Sequence, residues 1–204
     1  MQIDFIFQII ILIFSVVIHE VAHGYAAYFL GDNTAKYQGR LNLNPLNHLE
    51  WFGSFILPVI SYMTGGFIIG WAKPVPFNPY NLTDQKWGEA KVALAGPLSN
   101  FFVATVFGLL IRFGVAAQFG ASFVYISSMI VVINLILATF NLVPIPPLDG
   151  SKILFSVLPY NMNYVRDFFE RNGIYLMLFF IFFLWEYIVP IVAYEFVFLT
   201  GLSI

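Results

Sequence analysis

Four runs of this sequence, at about 3–30, 90–112, 121–143 and 173–190, are each long and apolar enough to cross a bilayer as a helix, which takes roughly 20 residues. In lipid a backbone can satisfy its own polar groups only as helices or a closed barrel, and unbroken apolar runs of this length read as helices. The expected fold is therefore all-α and polytopic, with about four to six transmembrane helices. With 60% of 204 residues apolar and only 10% charged, the chain lacks the charged surface of a soluble globule. The nine Lys and Arg are scattered and the formal charge is −2, so the expected surroundings are a lipid bilayer, with no nucleic-acid partner. The first eighteen residues contain Asp4 but no Lys or Arg, and no small-residue cleavage site follows, so this segment is expected to persist in the mature protein. No internal repeat is visible, and 1–204 reads as a single membrane-embedded domain.

A fifth apolar stretch, Phe52 to Gly70, is broken by Pro58 and by Gly65-Gly66. The basic residues bear on whether it spans. A full crossing would put Lys36, Arg40 and Arg112 on one side and the other six opposite. A segment that dips in and returns would leave Arg112 alone on its side and gather the other eight, the asymmetry of a cytoplasmic face. A re-entrant or hairpin segment around 52–90 is thus the preferred reading, because irregular backbone at membrane depth is tolerated where protein or a water-filled cavity receives it. The expected location is the cell membrane, multi-pass, of the bacterial inner or plasma type, with the polar connections and any site they carry toward the cytoplasm. The connections 31–50, 71–90 and 144–172 are rich in Pro and Asn, which predicts turns and extended backbone rather than further helix.

Against this background the stretch "SVVIHEVAHGYAAYFLGD" at 15–32 stands out. On a helix His19 and His23 are one turn apart and project from one face, with Glu20 beside them. This is the H-E-x-x-H arrangement, in which two neutral imidazoles hold zinc and the glutamate takes a proton from water whose pKa the metal lowers to about 7. Ionisable groups in an apolar helix are costly enough to need a purpose, and two of the three histidines of the chain are here. The chain has no cysteine, so thiolate ligands and disulfides are excluded and a third ligand must be His or carboxylate. His48 is the remaining histidine. Asp149 in "NLVPIPPLDG" is the stronger candidate: Pro144, Pro146 and Pro147 end the helix over 121–143, and Gly150 permits a tight turn beside the carboxylate.

With "HEVAHG" at 19–24, "ALAGPLSN" at 93–100 and "NLVPIPPLDG" at 141–150 on separate apolar segments, the chain resembles the site-2 protease family of intramembrane zinc metalloproteases. The "GRLNLNP" and "WAKPVPFNP" stretches make it most similar to compact bacterial members without PDZ or CBS domains. The resemblance covers about residues 10–185. It implies one zinc ion per chain held by His19, His23 and Asp149, with Glu20 as general base and acid. It implies substrates that are themselves transmembrane helices, cut within or near the bilayer. Asn100 and Asn141 are candidate contacts to the substrate backbone or the oxyanion, each with an equally good structural reading as a helix-packing or helix-end amide. "WAKPVPFNP" is a candidate extended edge for an unwound substrate. Two other functions fit an intramembrane His and Asp. A metal-cation transporter would need further ionisable groups along several helices, which the apolar runs lack. A non-catalytic zinc-binding membrane protein would normally close its site with a fourth protein ligand.

Overall fold

A computed structural model of the chain describes residues 2–65 and 73–202. Its helices are α1 (Gln2–Phe29), the single turn α2 (Thr34–Tyr37), α3 (Leu57–Gly65), α4 (Gly88–Arg112), α5 (Ala121–Asn141), α6 (Asp149–Val157), α7 (Asn163–Phe179) and α8 (Trp185–Thr200), with no strand among the described residues. A π-helical turn at Phe52–Ile56 leads into α3, and another at Phe180–Leu184 joins α7 to α8. Four helical stretches have the length and apolarity to cross a membrane: Phe5–Phe29, Gly88–Arg112, Ala121–Asn141 and Asn163–Thr200. The protein is an all-α polytopic membrane protein.

The last stretch differs from expectation. Residues 163–172 are helical rather than a polar connection, and the helix runs on through Pro190 to Thr200 instead of ending near 190. An Arg166–Glu170 pair one turn apart, 2.9 Å between Nε and Oε1, supports the polar first part. Beyond it, a break in lipid would strand several carbonyls, whereas Pro190 inside α8 removes a single donor.

Helix α4 is central. Helix α1 packs along it, and α5, α6 and α8 pack against its other faces. Contacts between Ser15 and Asn100 and between His23 and Val92 make α1 antiparallel to α4; Asn134 lies level with Asn100 and Ser15 while the end of α5 leads to Asp149 beside His19 and His23, so α5 runs antiparallel to α4 and parallel to α1. The apolar core between α4, α5 and α8 holds Ala104, Ile111, Val131, Leu135, Ile188, Val192 and Phe196. Small residues let these backbones close up: a Cβ on Gly108 would lie 2.8 Å from Leu199 Cβ. Large apolar side chains such as Phe102, Phe182 and Phe198 point outward, which suits surfaces solvated by lipid.

The carboxyl end of α1 and α5 and the amino end of α4 form one end of the bundle, and the connections 30–51 and 73–87 are stitched together there. The Leu30 carbonyl accepts from Thr83 N and the His48 carbonyl from Lys73 N, each at 2.8 Å. Asp32, with 0% exposure, accepts from Thr34, Asn78 N and Asn81 Nδ2. Since His48 and Lys73 are hydrogen-bonded, the segment between them leaves and returns at one point, as the expected re-entrant or hairpin segment requires. Its part over 66–72, including Trp71, lies outside the described residues.

Candidate metal centre

Ser15, His19 and His23 lie at four-residue intervals on the buried face of α1, the spacing that stacks side chains on one helix face. His23 is six residues inside the end of the span at Phe29, about 9 Å of helix rise. Asp149 comes from another direction. The chain leaves α5 at Asn141, turns through Val143, Ile145 and Leu148 by successive backbone hydrogen bonds, and enters α6 with Asp149 as its first residue. A carboxylate is favoured at that helix position by the unpaired amides and the dipole. Gly150 is not in a left-handed turn but inside α6, where a Cβ would collide with the carbonyls of Leu142 and Val143. The glycine is there for close approach, and this approach presses Asp149 toward α1.

The three side chains converge. Asp149 Oδ2 is 3.0 Å from His19 Nε2 and 3.2 Å from His23 Nε2. Among the described residues, His19, His23 and Asp149 form the group of His, Asp and Glu able to hold a metal ion, with ligand atoms all within 4.8 Å of one another. The other nitrogen of each ring faces an acceptor: His19 Nδ1 is 2.6 Å from Asn100 Oδ1 and His23 Nδ1 is 2.7 Å from the Val92 carbonyl. Acceptors at both Nδ1 atoms favour hydrogen there, and in the neutral form of each ring Nε2 then offers its lone pair on the side of Asp149. A metal cation between these Nε2 atoms and Asp149 Oδ2 would satisfy all three atoms at once. Ligand atoms about 2.0–2.1 Å from a tetrahedral zinc lie about 3.3 Å apart, close to the spacing found here. The residues fit zinc.

The backbone of α4 forms the wall of this site. A Cβ on Gly96 would fall 2.5 Å from His19 Nε2 and also against His23 Nε2, so any side chain there would occupy the space where the ligand atoms meet. Glu20 lies beside the pair, its Oε2 accepting from Val75 N at 2.8 Å. Val75 stands between Pro74 and Pro76, so it carries the one amide hydrogen of that tripeptide, and Glu20 receives it. Arg40 Nη2 donates to the Lys73 carbonyl at 2.9 Å, fixing the same extended segment from the other side.

The remaining sequence candidates are not among the three converging side chains. Asn100 has 0% exposure and uses its amide on His19, Ser15 and Asn134, so it stands behind a ring rather than facing open space. Asn141 donates to the Leu137 carbonyl of its own helix. His48 is buried in the 31–50 connection with Nε2 against the Asn42 carbonyl at 2.8 Å, and is not part of the His19–His23–Asp149 group. Ser15, Val75 and Gly96 fall inside stretches the sequence singles out but carry no separate signal there, and Asn134 lies outside them all. Asn134 left a signal, as an amide in the middle of an apolar span, where polar groups are costly.

The sequence profile of peptidase family M50 matches residues 114–184, a stretch that includes Asp149. YwhC of Bacillus subtilis, named as a zinc metalloprotease, is 37% identical over 194 residues, covering 92% of this chain and 83% of YwhC. From Methanocaldococcus jannaschii, MJ0611, also named as a zinc metalloprotease, is 33% identical over 153 residues, 74% of this chain and 70% of that protein. Zinc metalloprotease MJ0392 of the same organism is 28% identical over 158 residues, and there the match spans only 36% of the relative. No solved structure matches the chain.

Proposed function

The chain belongs to peptidase family M50 and is a multi-pass zinc metalloprotease, and on that footing we propose that it is an intramembrane endopeptidase whose substrates are transmembrane helices cut within or near the bilayer. One observation carries the reading: three candidate ligand atoms meet beside a glutamate, with an acceptor at Nδ1 of each ring and both histidines well inside a helix long enough to span. A soluble substrate would not need that depth.

In this reading His19, His23 and Asp149 hold one zinc ion, which when bound supplies Lewis acidity toward water and a peptide carbonyl. Glu20 takes the proton of the attacking water and delivers it to the departing amide nitrogen, general base and then general acid. The Val75 amide holds one carboxylate oxygen of Glu20, and the other takes part in that exchange. The extended Lys73–Asn78 segment, pinned by Arg40 and Glu20 beside the site, is the part best placed to meet an unwound substrate. Asn100 orients a ligand rather than contacting substrate, and Asn141 secures the end of α5. The chain acts as one membrane-embedded domain in a bacterial cell membrane. Its metal end faces the cytoplasm, since Lys36, Arg40, Lys73, Lys86, Lys91, Lys152, Arg166 and Arg171 belong to that end and Arg112 to the other.

Metal analysis of the purified chain tests the ligand set. One zinc per wild-type chain is expected, with His19→Ala, His23→Ala and Asp149→Ala each losing it. Retention of stoichiometric zinc in all three variants contradicts the assignment.

A further inference from the structure

Asn134 is completely buried on α5, and its partners are all hydrogen-bonding groups of the bundle interior. Its Nδ2 donates to the Ile130 carbonyl and to Ser15 Oγ, each at 2.9 Å, and its Oδ1 accepts from Asn100 Nδ2 at 2.8 Å. Asn100 Nδ2 also donates to the Ser15 carbonyl at 3.2 Å, and Asn100 Oδ1 meets His19 Nδ1 at 2.6 Å. An asparagine amide can be turned by half a rotation with little change in shape, so something must decide which atom Asn100 shows to His19.

The decision runs through two backbone carbonyls, which can only accept. The Ile130 carbonyl requires the NH₂ of Asn134, which leaves Asn134 Oδ1 toward α4. That oxygen and the Ser15 carbonyl together require the NH₂ of Asn100, which leaves Asn100 Oδ1 toward the imidazole. His19 then carries its hydrogen on Nδ1, and its Nε2 lone pair points at Asp149. With Asn100 turned over, an NH₂ would face Nδ1, the hydrogen would move to Nε2, and the nitrogen facing Asp149 would have no lone pair to offer a metal.

We propose that Asn134, supported by Ser15, is a positioning residue that holds His19 in its metal-binding tautomer through the amide of Asn100. This rests on the reading of His19 as a zinc ligand. Outer partners of metal-bound histidines act in this way in general, and removing one costs about 10–100-fold in metal affinity or activity.

The full chain in detergent micelles, with zinc affinity read by competition against a chromophoric chelator, provides the test. Asn134→Leu keeps the volume and removes both hydrogen-bonding functions. It is expected to weaken zinc binding about 10–100-fold and to lower kcat on a single-span substrate while KM stays near wild type. Asn134→Gln retains both an acceptor for Asn100 and a donor for the Ile130 carbonyl and is expected to recover part of the affinity, together with the wild-type absorption bands of the cobalt-loaded protein. Ser127→Ala is the packing control, because Ser127 is buried on the same helix and its Oγ has no partner among the described residues; its zinc affinity is expected to be unchanged. If Asn134→Leu does not fold, Ser15→Ala decides, with a loss of zinc affinity at the lower end of the same range expected. A wild-type affinity that His19→Ala does not alter contradicts the underlying ligand reading. An affinity abolished by His19→Ala yet untouched in Asn134→Leu, or in Ser15→Ala where that variant decides, overturns the positioning inference alone.

Discussion

A Cβ on Gly96 would press against the Nε2 atoms of both histidines, so the candidate metal site has no room for even a methyl group on that side. Gly96→Ala is expected to reduce zinc affinity by at least about tenfold while leaving the helical content intact, since alanine is a better helix former than glycine. Circular dichroism and chelator competition on the same sample check both halves, and undiminished zinc binding would contradict the geometry. At this scale the grouping of His19, Glu20, His23 and Asp149 was legible, because four-residue spacing and a proline-broken helix end are local signals. The parts that hold those residues were not. Gly96 matters only through the approach of α4 to α1, and Ser15, Asn100 and Asn134 come from three different helices, so no window of sequence contains their relation. For Asn100 the motif leaves substrate contact and helix packing open, because the packing that buries it is not a local signal.

Among the connecting elements, Asp32 knots the end of α1 to the 78–81 turn and to α2. Burial alone would raise its carboxyl, but hydrogen bonds from Thr34, Asn81 and Asn78 hold it below the usual carboxylate range. A carboxyl whose folded value lies below its unfolded one, about 3.9, contributes stability above that value and loses it as pH falls through the folded value. Thermal unfolding in micelles should therefore show wild type losing more stability between pH 5 and pH 3 than Asp32→Asn. At pH 7 that variant is expected to be less stable by about 1–3 kcal/mol, because amide hydrogens would then face buried donors. An identical pH profile for the two proteins would contradict this role. The spans over α1, α4 and α5 were legible within a few residues from apolarity alone. The last was legible only in part: the polar 163–172 region reads as a connection and Pro190 leaves 190–204 undecided, whereas the demand of lipid for paired backbone groups favours continuous helix.

Across the whole molecule, hydrogen bonds join 30–51 to 73–87 at the end where Asp149 meets α1, and the turn after Arg112 lies at the other. The native chain has no cysteine, so single cysteines report this arrangement directly. Tyr37→Cys, Tyr80→Cys and Tyr164→Cys, all at exposed positions, are expected to react with an impermeant thiol reagent from one side of sealed vesicles, and Phe119→Cys from the other. Labelling of Tyr37→Cys and Tyr80→Cys from opposite sides would mean that the segment between them crosses fully. The charge asymmetry of the sequence already pointed to a shared side, but the closure between His48 and Lys73 needed the fold. The most direct measurement is made in vesicles holding a single-span substrate with wild type or Glu20→Gln, with product termini located by mass spectrometry and bound zinc measured alongside. The expected result is one cut within or next to the spanning segment in wild type, and loss of cleavage by at least about 100-fold with zinc retained in Glu20→Gln. Cuts confined to the soluble tails, or equal cleavage by both proteins, would contradict an intramembrane zinc endopeptidase with Glu20 as its base.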